Sequence, residues 1–400
     1  MKHFYVLALM MTFAVAGSAP AADHAQHKKP AARCAEASLA CADKVAPFFD
    51  AKGTLWLVWT ANGRVGVQSS IDMGRTFAPT VFVNAPEKLD TGPDSRPQIV
   101  VDGAGRATVT YTVLKDAHFS GKVMIARADN PAQSFAAPKP LTADNASQRF
   151  TAFALDSDGR VFAAWIDKRN LAAAKKGGKE YAGAALAFSW AEHDKDFVPA
   201  KIAADNSCEC CRIGVTMAGP KKPVVIWRHI YDGVRDHAVT TFQDTTPGPV
   251  YRVAVDDWRI DACPHQGPSI AVGANGTYHA TWFTDGKAHQ GLFYGRSQDG
   301  GKTFSAPMAV GDSNKQPSRP YVLANGGAVW LVWKEFDGAQ STVNGMISRD
   351  DGATWSARKV LAHTAEDSDH PLLIAAKGQA YLSWMTQKEG YRLMQLEDMP

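Results

Sequence analysis

The chain is short of cysteine, of net charge and of long apolar runs, and each shortage removes a class of protein. Six cysteines in 400 residues leave no framework of evenly spaced disulfide pairs, because three of them crowd into "DNSCECCRIG", residues 205 to 214. A formal net charge of +3 gives no case for nucleic acid as a partner, for which a concentrated basic face is expected. After residue 21 no stretch approaches the ~20 uninterrupted apolar residues of a membrane-spanning helix, so an integral membrane protein is excluded as well. The one long apolar segment, "FYVLALMMTFAVAG", follows Lys2 and His3 and ends near the small-x-small pattern Ala19-Pro20-Ala21. Residues 1–21 are therefore expected to be a signal peptide, and the mature protein to be periplasmic or secreted.

What the chain does have is tryptophan, glycine and a repeat. Eleven Trp and 33 Gly suit many short strands joined by tight turns. An aromatic residue closes an alternating apolar run seven times, at Trp59, Tyr111, Trp165, Trp227, Trp282, Trp333 and Trp384, with spacings of 52, 54, 62, 55, 51 and 51 residues. Each unit reads as a short apolar strand, a turn, the aromatic-ended strand, a third strand, a turn and a fourth strand. Period-2 alternation excludes a helical solenoid, and four strands per ~50 residues describe a β-propeller blade. The expected fold is all-β, a propeller of four-stranded blades over residues 46–400, with seven blades favoured over six. The last unit lacks a fourth strand. The N-terminal segment 22–45, holding Cys34 and Cys41, is expected to close the ring with those two cysteines paired as a local staple.

The turn between third and fourth strands carries a motif: "SIDMGRTF" from Ser70, "SQDGGKTF" from Ser297 and "SRDDGATW" from Ser348, with a degraded copy, "SWAEHDKDF", from Ser189. Its mechanics are those of a turn, in which Asp accepts backbone N–H bonds, Gly takes positive φ and the aromatic packs between sheets. The pattern resembles the Asp-box, or BNR repeat, of the sialidase superfamily. More narrowly, "CECCR", "WRHIYDGVRDH" and "DDWRIDACPHQGPS" are similar to a group of bacterial exported, sialidase-like proteins that carry a CxCC motif. The resemblance to sialidases implies three arginines gripping a sugar carboxylate, a Tyr/Glu pair as nucleophile and base, and an Asp acid, a departure from the usual two-carboxylate scheme. Arg96, Arg149, Arg212 and Arg319 would supply the arginines, Tyr321 or Tyr231 with Glu335 the pair, and Asp167 or Asp116 the acid. The Phe-Arg-Ile-Pro signature of sialidases is absent; the nearest string is "SRPQI" around Arg96.

In an up-and-down blade, the loop entering the inner strand and the loop leaving the second strand share one end. At the first position stand Arg96, Arg149, Arg212, His265, Arg319 and His370. They form a candidate cationic ring for a small anionic ligand, with Arg96, Arg149, Arg212, Arg319 and His370 as its binding residues; the alternative is that they tie down neighbouring carbonyls. At the second position stand Lys115, Asp116, Asp167, Lys168, Arg169, Arg228, His229, Asp285, Lys334 and Glu335, and the third unit's longer Lys-rich loop is a candidate flap.

Cys208, Cys210 and Cys211 enter the fourth unit, Cys263 enters the fifth, and His229 and His265 flank them. Two readings compete. In one the four cysteines form two disulfides; in the other they bind a soft metal, copper or zinc, with His229 or His265 completing the site. Cleavage after Ala21 would expose Ala22-Asp23-His24, whose α-amine, two amide nitrogens and His24 imidazole suit Cu(II) and lean the reading toward copper. The favoured function is a periplasmic, copper-handling propeller. An exo-sialidase or other glycan-processing or glycan-binding module is the first alternative, and a scaffold for a protein partner with structural disulfides is the second.

Overall fold

A computed structural model describes residues 34–117, 120–192 and 194–396. The expected signal peptide and His24 lie outside the described residues. No described helix is long and apolar enough to cross a membrane.

Seven antiparallel sheets stand in a ring as the blades of a β-propeller. The first blade runs Lys44–Phe49, Leu55–Ala61, Arg64–Ser70 and Val81–Phe82, in consecutive order. Blade 2 begins at Gln98–Val101, blade 3 at Gln148–Leu155, blade 4 at Gly214–Met217, blade 5 at Ser269–Val272, blade 6 at Ser318–Asn325 and blade 7 at Leu372–Ala376. These first strands are innermost, and each contacts the next around the axis until blade 7 meets blade 1. Blade 4 has an extra short strand, Tyr251–Arg252, on its third strand. Blade 7 has three described strands. Residues 34–43 do not add a fourth: they form a 3-10 turn, Leu39–Cys41, packed against Gly390–Leu396 and tied by the Cys34–Cys41 disulfide.

The alternating runs form strands because one face of each must be buried between neighbouring blades. Their closing aromatics are the deepest side chains: Trp59, Trp165, Trp227, Trp282, Trp333 and Trp384 are at most 1% exposed, and Tyr111 is 3% exposed. Each buries roughly 150–250 Å², so truncation of one to Ala costs about 3–5 kcal/mol. Gly66 is required opposite Trp59, since a Cβ there would overlap the indole ring. The three full-length turn motifs share one hydrogen-bond set. In the first, Ser70 Oγ donates to Asp72 at 2.7 Å, Gly74 N donates to Ser70 Oγ at 2.8 Å, and Thr76 donates to Asp72 from N and Oγ1 at 2.9 and 2.6 Å. The same bonds recur around Asp299 and Asp350. The motif's aromatics pack across blade boundaries, Phe77 on Tyr391 at 5.9 Å and Trp355 on Tyr294 at 4.8 Å.

The ring is sealed between blades 7 and 1 by Asp369, which accepts from Val45 N at 3.1 Å and from both terminal nitrogens of Arg96 at 2.7 Å. The long loop of blade 3 contains the helix Arg169–Lys176, packed on strand Ala184–Ala191. It lies at the end of the ring where the inner-strand loops converge.

Candidate metal centre and charged channel

Strand Lys201–Ser207 leads directly into the cysteine loop, which is locked to the second strand of blade 4. Ser207 bridges His229, Cys208 N donates to Arg228 O at 2.9 Å, and Ile230 N donates to Asn206 O at 2.6 Å. These bonds turn the thiols inward, leaving Cys208, Cys210 and Cys211 only 2–3% exposed. The Cys208 sulfur lies 3.6 Å from that of Cys210 and 3.9 Å from that of Cys211, and all three sulfurs fall within 4.8 Å of one another. None is in a disulfide, nor is Cys263, so the paired-disulfide reading of this face is not what the structure holds.

The cluster's electrostatics favour one shared thiolate. Cys208 lies well below the ordinary thiol range because of its hydrogen bonds with Cys210 and Cys211, with the Arg228 charge adding. Cys210 and Cys211 are pushed up, first of all by their hydrogen bonds with Cys208. Arg235 places Nη1 3.9 Å from the Cys208 sulfur while donating to Ala262 O at 2.7 Å. Lys168 and Glu209 form an ion pair that ties the start of the blade 3 helix to the cysteine loop. The expected flap is therefore seated on that loop.

Cys263 is exposed and its thiol interacts with that of Cys210, which lowers it to about 7. It stands outside the group of three mutually close sulfurs, and so do His229 and His265. The His229 ring packs edge-on to Trp227 at 5.9 Å and Tyr231 at 4.5 Å, and burial pulls its pKa down to about 4. His265 adopts φ +49°, and its carbonyl accepts from Arg319, itself at φ +56°. Left-handed backbone is uncommon for such residues, and here two facing loops adopt it together.

The predicted ring residues do converge, but on carboxylates. Arg149 pairs with Asp90 at 2.6 and 3.1 Å, and Arg96 with Asp369. Arg212 and Arg319 reach Asp94 at 3.2 and 2.9 Å, and His370 Nε2 lies 4.0 Å from it. Burial and the surrounding Arg319, Arg96, Arg212 and Lys44 keep His370 neutral. Burial pushes the Asp369 carboxyl up, but Arg96 and Lys44 outweigh it and hold the pKa at about 2. Lys334 is pulled down to about 8 by burial and by Arg319. Among the described residues, Lys44, Arg96, Arg212, Arg319 and Lys334 are offset by three carboxylates, Asp94, Asp367 and Asp369, which leaves an excess of positive charge in the channel.

The residues nominated for glycosidase chemistry are held by structural partners. Asp167 is fully buried and accepts from Trp165 Nε1 at 2.9 Å and from Arg169. Glu335 accepts from Trp333 Nε1 at 2.8 Å, from Asp312 N at 2.9 Å and from Arg358. Each acid stands two residues after its blade's tryptophan and receives that indole. Asp116 accepts from Ser120 N at 3.1 Å. Tyr321 packs against the core of blades 6 and 7, and Tyr231 lies under Arg252. No hydrogen bond among the described residues joins Glu335 to either tyrosine.

Several residues that organise this face escaped the sequence reading. Asp94 Oδ2 accepts from Arg212 N and from Gly267 N, both at 3.0 Å, so one buried carboxylate of blade 2 clamps the cysteine loop and the Cys263 loop together. Asp236 accepts from Arg252 Nε at 3.0 Å and from Asp256 N at 2.9 Å. Trp258 lies under the Arg228 guanidinium at 4.4 Å. His237 is fully buried, with neither ring nitrogen hydrogen-bonded among the described residues. The available signal for Asp94 was an acid two residues before an inner-strand arginine.

No family model matches the chain, and no curated protein matches it by sequence. Solved structures do. An ulvan lyase of polysaccharide lyase family PL25, bound to -[GlcA(1-4)Rha3S]-, is similar at a TM-score of 0.55 and 9% identity, over 89% of this chain and 94% of that one. The polysaccharide lyase Uly1 is similar at 0.52 and 10% identity, over 88% of each chain. The Hadza microbial sialidase Hz136 is similar at 0.46 and 13% identity, over 88% of this chain and 65% of that one. At these identities the likeness to the two lyases is one of fold, and the seven sheets of this chain make it a seven-bladed β-propeller.

Proposed function

We propose that this protein binds one copper(I) ion through Cys208, Cys210 and Cys211, outside the cytoplasm. The observation that carries the reading is three buried, unbridged sulfurs within 4.8 Å of one another. A disulfide needs sulfurs about 2.05 Å apart. Three sulfurs bonded to one metal at about 2.3 Å stand roughly 3.8 to 4.0 Å apart, depending on tetrahedral or trigonal geometry. The 3.6 and 3.9 Å separations fit the second arrangement. Soft thiolates select copper(I), zinc or iron–sulfur clusters. Structural zinc takes four ligands, whereas three sulfurs suffice for copper(I). Three thiolates around a monovalent ion carry two excess negative charges, and Arg228 and Arg235 stand beside them to offset that charge. Anaerobic titration with copper(I) is expected to break at one ion per chain with a thiolate-to-copper absorption band. In Cys208→Ser the band is lost while the circular dichroism spectrum is retained. Disulfides among the three in native mass spectra, or no break, would overturn the reading.

The channel's excess of cations supports a second reading, a site for a small anion or uronate-bearing glycan; the similar ulvan lyase is bound to -[GlcA(1-4)Rha3S]-. Saturable binding of a uronate oligosaccharide that disappears in Lys334→Ala supports it, and no binding across a panel of acidic glycans removes it.

A further inference from the structure

Cys263 is unlike the other free cysteines. It is exposed where Cys208, Cys210 and Cys211 are buried, and it belongs to the next blade. It is the one exposed free thiol among the described residues.

Its loop is pinned at both ends and open in the middle. At the start, Trp258 packs on Arg228 and Phe283, and its carbonyl accepts from Arg235 N at 2.8 Å. At the far end, Gln266 O accepts from Arg228 at 2.9 Å and Gly267 N donates to Asp94. Between these anchors residues 261–263 are exposed. Arg235 crosses the gap, since the same Nη1 that donates to Ala262 O approaches the Cys208 sulfur. That bridge sets Cys263, the next residue, beside the buried cluster while leaving it exposed to solvent.

A buried site closed by three thiolates cannot release its ion by simple dissociation without leaving the charge on the sulfurs uncompensated. Exchange through an incoming sulfur avoids that cost. We propose that Cys263 is the transfer ligand of the copper site, a role that rests on the metal reading above. In the step, the Cys263 thiol releases its proton to solvent and forms a Cu–S bond. The Cu–S bond to Cys210 then breaks, and Cys210 takes up a proton. Copper stays in the +1 state and no electrons move. The ion then stands at the exposed rim, where a thiolate or thioether of an acceptor protein takes it by the same exchange.

The test is the rate at which copper(I)-loaded protein passes its ion to the chelator bathocuproine disulfonate, for wild type and for Cys263→Ser. The variant is expected to load one copper per chain with an unchanged thiolate-to-copper band and to transfer it slower by about tenfold or more. An unchanged rate would overturn the transfer role. Failure of the variant to retain copper would overturn it too, by making Cys263 a ligand of the resting site. If wild type itself loads no copper, the metal reading fails first, and the two failures are told apart by that control.

Discussion

Asp94→Ala removes the carboxylate that joins the two cysteine-bearing loops to the channel. The side chain is fully buried and holds Arg212 and Arg319 at 3.2 and 2.9 Å, together with the amides of Arg212 and Gly267 at 3.0 Å. Removing one partner of a buried pair costs about 3–5 kcal/mol. Two amides left without their acceptor push the total toward the upper end. With an unfolding entropy of about 2.1 cal/mol/K per residue, the 400-residue chain has roughly 0.8 kcal/mol/K. The melting temperature should therefore fall by about 4–6 °C. Because Arg212 follows Cys211 directly, copper affinity should fall by about tenfold or more as well. Differential scanning fluorimetry and competition with a copper(I) chelator read the two effects. Adding Arg319→Met to the variant should recover part of the stability, since a guanidinium is then no longer left unpaired. A melting temperature within about 1 °C of wild type, with copper affinity unchanged, would refute the clamp.

Two further predictions concern pH. His237 is held neutral by burial and by Arg228 and Arg212, well below its ordinary value of 6.5. The unfolded chain therefore binds a proton that the folded chain refuses, and stability is full above that value and lost as pH falls. His237→Gln should reduce the slope of stability against pH by about 1.4 kcal/mol per pH unit between about pH 6 and 5, measured by urea denaturation; an unchanged slope would contradict this. The turn carboxylate Asp299 is lowered to about 2 from 3.8 by the Thr303 hydroxyl and amide. Its contribution is present above 3.8 and lost as pH falls toward 2, so Asp299→Asn should flatten the acid limb of melting temperature against pH, and an identical limb would show that the turn contributes nothing.

The fold was legible because its signals are local and repeated. Each aromatic anchor ends a period-2 run, and each Ser-x-Asp-x-Gly-x-Thr turn is closed by hydrogen bonds between residues no more than four apart. The same locality placed Arg212, Arg319 and His370 at equivalent loop positions, and the structure brings them together. Their counter-charges were not legible, because Asp94 meets Arg212 across 118 residues and Gly267 across 173. Asp167 and Glu335 looked chemical through their position after the second strand, yet i and i+2 share a face of a strand. The indoles of Trp165 and Trp333 occupy them. His229 stands at that same offset from Trp227 and packs against it edge-on. The crowding of Cys208, Cys210 and Cys211 was visible in the chain, but their common inward turn depends on Ser207 and Cys208 pairing with blade 4.

The most direct measurement is X-ray absorption at the copper edge on protein loaded with one equivalent of copper(I). The account predicts a first shell of three sulfur atoms and no imidazole nitrogen, with the sulfur signal lost in Cys211→Ser. A shell dominated by nitrogen, or by fewer than three sulfurs, would contradict it.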